Sequence, residues 1–244
     1  MAMLRQGPEE TSIETRTLYR GDALVPVVHA RPDGMPVAGV VLHPDIMGLR
    51  PLFDDMATRL ASHGLAVAAI EPFARRDESE RAASDVGIRM GWASELDDED
   101  VLGDLSAAAD LLVVEDGVMK VGVLGFCMGG LYALKAAATD RFDRAVSFYG
   151  MIRLPDSWQG PGQRSPLETA ADVCPTLAIF GSVDGMTPAA DIDALRAAWS
   201  GRDDCEIVVV EGADHGFIHD PDRPAHRADA AAELWPRVIA WLGA

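Results

Sequence analysis

The chain has 244 residues, 48% hydrophobic and 25% charged, which is typical of a folded globular protein and excludes a disordered one. Its formal net charge of -18 opposes binding to nucleic acid or to an anionic membrane. No long apolar run is present and the N-terminal segment lacks the apolar part of a secretory signal, so we predict neither a membrane span nor a leader.

The first 72 residues alternate between strand-like and helix-like segments. Two β-prone runs, 13–19 and 23–30, flank a turn signal at 20–22 and predict an opening hairpin. The apolar runs 37–44 and 65–72 predict buried strands, and the helical spacing of 50–64 predicts a helix between them. Residues 73–100 are charged and weakly periodic, which indicates helices and loops over one end of a sheet.

The rest of the chain continues the alternation. We predict helices over 101–115, 128–139, 189–200 and 227–243, strands over 120–126, 144–150, 176–184 and 205–217, and a loop at 157–168. This order favours an α/β fold with a mostly parallel sheet, helices on both faces and the N-terminal hairpin antiparallel. Since no repeat or linker is evident, we predict a single domain over 1–244.

The segment GFCMGG at 125–130 places Cys127 between glycines where a predicted strand ends. A buried structural thiol would not need these glycines. A nucleophile on a strained strand-to-helix turn would, because Gly125 and Gly129 remove side chains that would collide. The turn puts Cys127 at a helix N-terminus, where the dipole favours a thiolate, and directs the Met128 N–H towards an attacked carbonyl.

Two further residues follow later strands, Asp184 and His215. The chain order nucleophile, acid, histidine is that of the α/β-hydrolase arrangement, with cysteine in place of serine in G-x-S-x-G. Taken singly, Cys127 could be a buried thiol, Asp184 a helix cap and His215 an ordinary loop histidine. Their joint placement beyond strand ends favours a catalytic triad.

Over nearly its whole length the chain resembles the dienelactone hydrolase (carboxymethylenebutenolidase) family of cysteine α/β-hydrolases. The resemblance is carried by GFCMGG, GSVDGMTP, GADHGF and SFYG, with HPDIMGL and EPFARR. It implies that Asp45, where the family has glutamate, accepts the thiol proton of Cys127, and that the Ile46 N–H is the second oxyanion donor. The alternative is that Asp45 only orders its loop.

The resemblance also bears on the substrate. Family enzymes hold a substrate carboxylate with two arginines, one of them four residues after the catalytic histidine, where this chain has His219. For the other, Arg81 and Arg89 are both candidates. The resemblance therefore implies a weakened or rebuilt carboxylate clamp, with Arg81, Arg89 and His219 as candidate substrate-binding residues.

Other site types fit less well. His215 and His219 are four residues apart, but no glutamate completes H-E-x-x-H, and GFCMGG lacks the pattern G-x-G-x-x-G, so we predict no metal and no cofactor. The three cysteines form no paired pattern, which fits a reducing cytoplasm.

We predict a cytoplasmic cysteine hydrolase of small lactones or activated esters, as a monomer or homodimer. The alternatives are a thioesterase or general carboxylesterase, or a non-catalytic homologue that binds a small ligand.

Overall fold

The computed structural model describes residues 4–244. The strands are β1 Thr11–Arg20, β2 Ala23–Pro32, β3 Ala38–His43, β4 Leu65–Ile70, β5 Val121–Phe126, β6 Arg144–Phe148, β7 Thr176–Gly181 and β8 Cys205–Val210. The α-helices are α1 Pro51–Ala61, α2 Glu78–Ala83, α3 Val86–Trp92, α4 Asp98–Asp116, α5 Met128–Ala137, α6 Ala189–Ala198 and α7 Ala228–Leu242. Short 3-10 turns lie at Ala93–Glu95, Asp156–Trp158 and Pro166–Glu168.

The strands form one sheet in the order β1-β2-β4-β3-β5-β6-β7-β8. β2 pairs antiparallel with both β1 and β4, while β3 to β8 run parallel to one another. Successive side chains of a strand point to opposite faces. Val40 and Leu42 therefore pack with α1 and α7, whereas Val41 packs with α4 and α5 on the other face.

This architecture confirms the predicted α/β fold, with a mostly parallel sheet, helices on both faces and an antiparallel opening hairpin. The largest differences in bounds occur after β7 and β8, where the predicted strands were too long. β8 ends at Val210 because the chain turns at Gly212, whose φ is +68°. Within the described part of the chain, no helix combines the length and hydrophobicity needed to cross a membrane.

The weakly periodic segment 73–100 forms α2, α3 and the start of α4. α4 begins three residues earlier than predicted, at Asp98. The reason is a cap: the Asp97 carboxylate accepts a hydrogen bond from the Glu99 N–H at 2.8 Å, which satisfies a donor at the helix N-terminus.

The turn from β5 to α5 is closely packed on both sides. A Cβ on Gly125 would lie 1.9 Å from the Gly129 carbonyl oxygen, and a Cβ on Gly129 would lie 2.1 Å from the His43 carbonyl oxygen. Both obstacles are backbone atoms, which cannot move aside as a flexible side chain would. The predicted reason for these two glycines is therefore confirmed.

We expect Gly125→Ala to lower the free energy of unfolding by at least about 2 kcal/mol, because the methyl group overlaps backbone. Urea unfolding followed by circular dichroism measures this change. Gly91→Ala is the matched control, since a Cβ there meets nothing within 4 Å and alanine favours the helix. A Gly125→Ala protein as stable as the parent chain would show that the turn is looser than described.

Candidate active site

Three chemically active side chains meet at the carboxyl edge of the sheet. Cys127 follows β5, Asp184 follows β7 and His215 follows β8. Parallel strands end at the same edge, so these loops lie together although up to 88 residues separate them along the chain.

Cys127 has an unusual backbone conformation, with φ of 56° and ψ of -116°. Residues other than glycine rarely adopt a positive φ, and backbone strain of this kind is more frequent at functional sites than elsewhere. The turn is held by hydrogen bonds from the Cys127 N–H to the Phe148 carbonyl and from the Leu131 N–H to the Cys127 carbonyl, both of 3.0 Å. The side chain keeps only 7% of its surface exposed.

His215 is held by Asp184. Its Nδ1 lies 2.8 Å from Asp184 Oδ2, while Asp184 Oδ1 accepts the Met186 N–H at 2.8 Å. Burial disfavours the imidazolium, but the hydrogen bond to Asp184 and the nearness of Cys127 outweigh it and raise the pKa of His215 to about 10. Burial likewise acts against the Asp184 carboxylate, yet the hydrogen bond from His215 lowers the pKa of Asp184.

The structure thus brings Cys127, His215 and Asp184 together. The His215 Nδ1 is turned to Asp184, and within residues 4–244 the buried Nε2 has no hydrogen-bond partner. The nearby Cys127 side chain contributes to the raised pKa of the ring.

The two backbone N–H groups predicted to receive an oxyanion belong to Met128 and Ile46. Met128 is the first residue of α5, where an N–H has no intrahelical acceptor. Ile46 follows the end of β3, the neighbour of β5 in the sheet. No carbonyl or side chain of residues 4–244 accepts a hydrogen bond from either group, so both are available to an incoming oxygen.

Asp45 is buried, and both of its carboxylate oxygens accept hydrogen bonds. Arg50 donates to both carboxylate oxygens, at 2.7 and 2.8 Å, and the Met47 N–H donates to Oδ1 at 2.9 Å. His219 Nε2 lies 2.8 Å from Oδ2. Burial alone would raise the pKa of Asp45, but the hydrogen bonds from His219 and Arg50 lower it well below its ordinary value. None of these hydrogen bonds reaches Cys127, so its predicted proton transfer to Asp45 stays a prediction.

His219 is wholly buried, next to the site rather than open to it. Its ring stacks on Phe126 at 5.2 Å and on Phe53 at 6.0 Å, and its Nδ1 is hydrogen-bonded to the Tyr149 hydroxyl. Burial lowers the pKa of His219, which keeps the ring neutral. A direct contact with substrate therefore stays a prediction.

Sequence reasoning gave no role to Tyr149 or Arg50. Tyr149 directly follows β6, has a φ of 40° and meets the His215 ring edge-on at 5.1 Å. The predicted strand 144–150 included Tyr149, so its position beyond the end of β6 became apparent only in the structure. Arg50 offered no signal, because its pairing with Asp45 depends on how the loop after β3 folds.

Arg81 and Arg89 lie together, over the ends of β2 and β4. Arg89 is buried and donates to the Ser84 hydroxyl at 2.8 Å and to the Arg81 carbonyl at 2.9 Å. Its Nη1 is 3.9 Å from the Glu71 carboxylate. The Arg81 guanidinium donates to the Arg76 carbonyl, whereas the buried Arg89 Nη1 has no hydrogen-bond partner within residues 4–244.

Arg81 and Arg89 share a cavity of about 480 Å³ with Arg50. Neither Cys127 nor His215 lines this cavity. The role of the two arginines in substrate binding stays a prediction. Across residues 4–244 no three His, Cys, Asp or Glu side chains are grouped so as to hold a metal ion.

Known proteins similar in sequence to this chain belong to a single family. A profile of the Dienelactone hydrolase family matches residues 25–244. A Methylorubrum extorquens protein assigned as a carboxymethylenebutenolidase is 30% identical over 227 residues, covering 91% of this chain and 77% of that protein. The carboxymethylenebutenolidase of Rhodococcus opacus is 29% identical, covering 88% of this chain and 84% of its own.

The fold comparison agrees. A crystal structure of a Klebsiella pneumoniae protein assigned as a dienelactone hydrolase superposes with a TM-score of 0.86 and 26% identity, covering 96% of this chain and 98% of the other. The chain therefore belongs to the dienelactone hydrolase family of the α/β-hydrolase superfamily and is a hydrolase.

Proposed function

We propose that this hydrolase uses Cys127 as nucleophile to cleave small lactones or activated esters through a thioester intermediate. The observation that carries the proposal is the placement of Cys127 on a strained turn beside His215, whose other ring nitrogen is 2.8 Å from Asp184. Nucleophile, base and orienting acid in this relation are the recurring arrangement of covalent acyl transfer.

In the proposed cycle His215 takes the thiol proton and the resulting thiolate attacks the carbonyl carbon. The carbonyl oxygen becomes an oxyanion that accepts hydrogen bonds from the Ile46 and Met128 N–H groups. Collapse breaks the bond to the leaving oxygen, which takes the proton from His215. Water then gives its proton to His215 and attacks the thioester, and the thiolate leaves as the carboxylic acid is released.

The nucleophile limits the substrate class. A thiolate is itself a good leaving group, so the tetrahedral intermediate goes forward readily only when the departing oxygen is stabilised, as in an enol lactone or an aryl ester. Alkyl esters and amides fit less well. The names of the carboxymethylenebutenolidase relatives support a lactone substrate.

The residues carried over by resemblance have narrower roles in this proposal. Asp45 must leave Arg50 and His219 before it can meet Cys127, so we assign the thiol proton to His215 and keep Asp45 as a candidate acceptor. Arg81 and Arg89 stay candidate contacts for a substrate carboxylate, although the cavity that they line includes neither Cys127 nor His215.

We expect Cys127→Ala and His215→Ala to lower kcat/KM for dienelactone and for an aryl ester by at least about 10⁴-fold, since members of a triad act as a unit. Steady-state hydrolysis measured by absorbance is the test. Cys174→Ala is the matched control, because Cys174 lies just before β7 and its thiol is disfavoured as a nucleophile by a pKa of about 11 caused by burial. Undiminished turnover by Cys127→Ala would remove the proposal.

The three thiols should differ in their pH dependence of alkylation. Burial raises the pKa of both Cys174 and Cys205, whereas Cys127 lies at a helix N-terminus near His215, the setting in which reactive cysteines are found. We expect iodoacetamide at about pH 6.5 to label Cys127 alone, and His215→Asn to require a higher pH for the same labelling. Peptide mapping by mass spectrometry identifies the labelled site. Equal labelling of all three cysteines at that pH would contradict the proposed pairing of Cys127 with His215.

A further inference from the structure

A chain of buried polar side chains runs behind the active site from Arg50 to Tyr149. Arg50 donates two hydrogen bonds to Asp45, Asp45 is 2.8 Å from His219 Nε2, and His219 Nδ1 is hydrogen-bonded to the Tyr149 hydroxyl. Asp45, His219 and Tyr149 expose 3%, 0% and 0% of their surfaces, so each bond is shielded from water.

The protonation of Asp45 and of His219 determines which atoms donate and which accept in this series of hydrogen bonds. The Asp45 carboxylate is ionised and can only accept, so His219 Nε2 carries the hydrogen and donates. The His219 ring is neutral, so its Nδ1 accepts and the Tyr149 hydroxyl donates. Every polar atom of the chain between Asp45 and Tyr149 is thereby used, and the tautomer of His219 is determined.

The two ends differ in rigidity. Tyr149 is held at the end of β6 by its own N–H, which donates to the Ile179 carbonyl at 2.7 Å, and by packing of its ring against Phe217 and Phe126. Asp45 lies in the loop 44–50, which we call the oxyanion loop because it carries the Ile46 N–H. No strand or helix includes this loop.

Asp45 shapes the oxyanion loop from within. Its carboxylate accepts the Met47 N–H at 2.9 Å, and its carbonyl accepts the Gly48 N–H at 3.0 Å. The side chain is therefore bonded to the backbone directly after Ile46, so a shift of the Asp45 carboxylate would move the loop that carries the Ile46 N–H.

We propose that His219 and Tyr149 are positioning residues for the oxyanion loop, since they connect Asp45 to the rigid end of β6. The inference rests on the proposed function, in which the Ile46 N–H receives the oxyanion. It gives His219 and Tyr149 a role in the reaction that requires no contact with the substrate.

Two variants test this role. Tyr149→Phe removes one oxygen atom, and His219→Leu removes both hydrogen bonds of the ring. A misplaced oxyanion donor reduces the stabilisation of the transition state more than it reduces the affinity for substrate. We therefore expect kcat for an activated aryl ester to fall at least about tenfold in both variants, with KM changed less than about threefold. His219→Gln, whose amide can donate to Asp45, should recover most of this loss.

A second measurement separates the oxyanion loop from the pairing of Cys127 with His215. The affinity for an aldehyde that adds to Cys127 should fall in parallel with kcat/KM, because its adduct carries the same oxyanion. The pH profile of Cys127 alkylation, a reaction without an oxyanion, should match that of the parent chain. Tyr19→Phe is the matched control, since Tyr19 is 81% exposed on β1.

Parent-level kcat in Tyr149→Phe and His219→Leu would overturn the inference while an inactive Cys127→Ala leaves the proposed function intact. A shifted alkylation profile that accounts for the loss of kcat would also overturn it, because the effect would then pass through His215. If His219→Leu does not fold, Tyr149→Phe decides alone. Activity retained in Cys127→Ala would remove both proposals.

Discussion

The site depends on the left-handed backbone of Cys127. A non-glycine residue in such a conformation costs on the order of 1–3 kcal/mol, and the surrounding structure must enforce it. Here the enforcement is the close approach of Gly125 and Gly129 to backbone atoms and the hydrogen bonds that tie the turn to β6 and α5. The strain projects the sulfur out of the sheet at the start of a helix, where it can meet a group from another loop.

The two histidines of the loop after β8 lie in different electrostatic environments. His215 is largely buried, which opposes its positive charge, yet Asp184 on one side and Cys127 on the other hold the pKa of the ring well above its ordinary value. His219, four residues along the same loop, has the opposite balance: burial prevails and its ring is neutral. Two histidines of one loop thus have different protonation behaviour, one next to Cys127 and Asp184 and the other within the buried series of polar side chains.

The sequence was informative wherever the signal was local. Glycines at a strand end predicted the turn at Cys127, and apolar runs bounded by Gly or Pro predicted the parallel strands that bring Asp184 and His215 to the same edge. The hydrogen-bond partners of Asp45 could not be predicted from the sequence. The contact with His219 joins residues 174 positions apart and depends on the direction of both side chains. The orientation of Arg89 was equally out of reach, since 73–100 has little periodicity.

The single domain over 1–244, the cytoplasmic location, the lack of a cofactor and the choice between monomer and homodimer all stay predictions. So do the roles given to the individual site residues. The family and the α/β architecture, by contrast, follow from a profile match over 25–244 and from a TM-score of 0.86.

The most direct test of the central claim is to trap the acyl group on the sulfur. In His215→Asn, assayed at a raised pH at which the thiol can react without the imidazole, the step that activates water is lost, so an activated aryl ester should leave its acyl group on the protein. Intact-mass measurement followed by peptide mapping should find one acyl group per chain, bound as a hydroxylamine-sensitive thioester on Cys127. An acyl group on another residue, or release of product with no acylated protein in rapid-quench samples of the parent chain, would contradict the account.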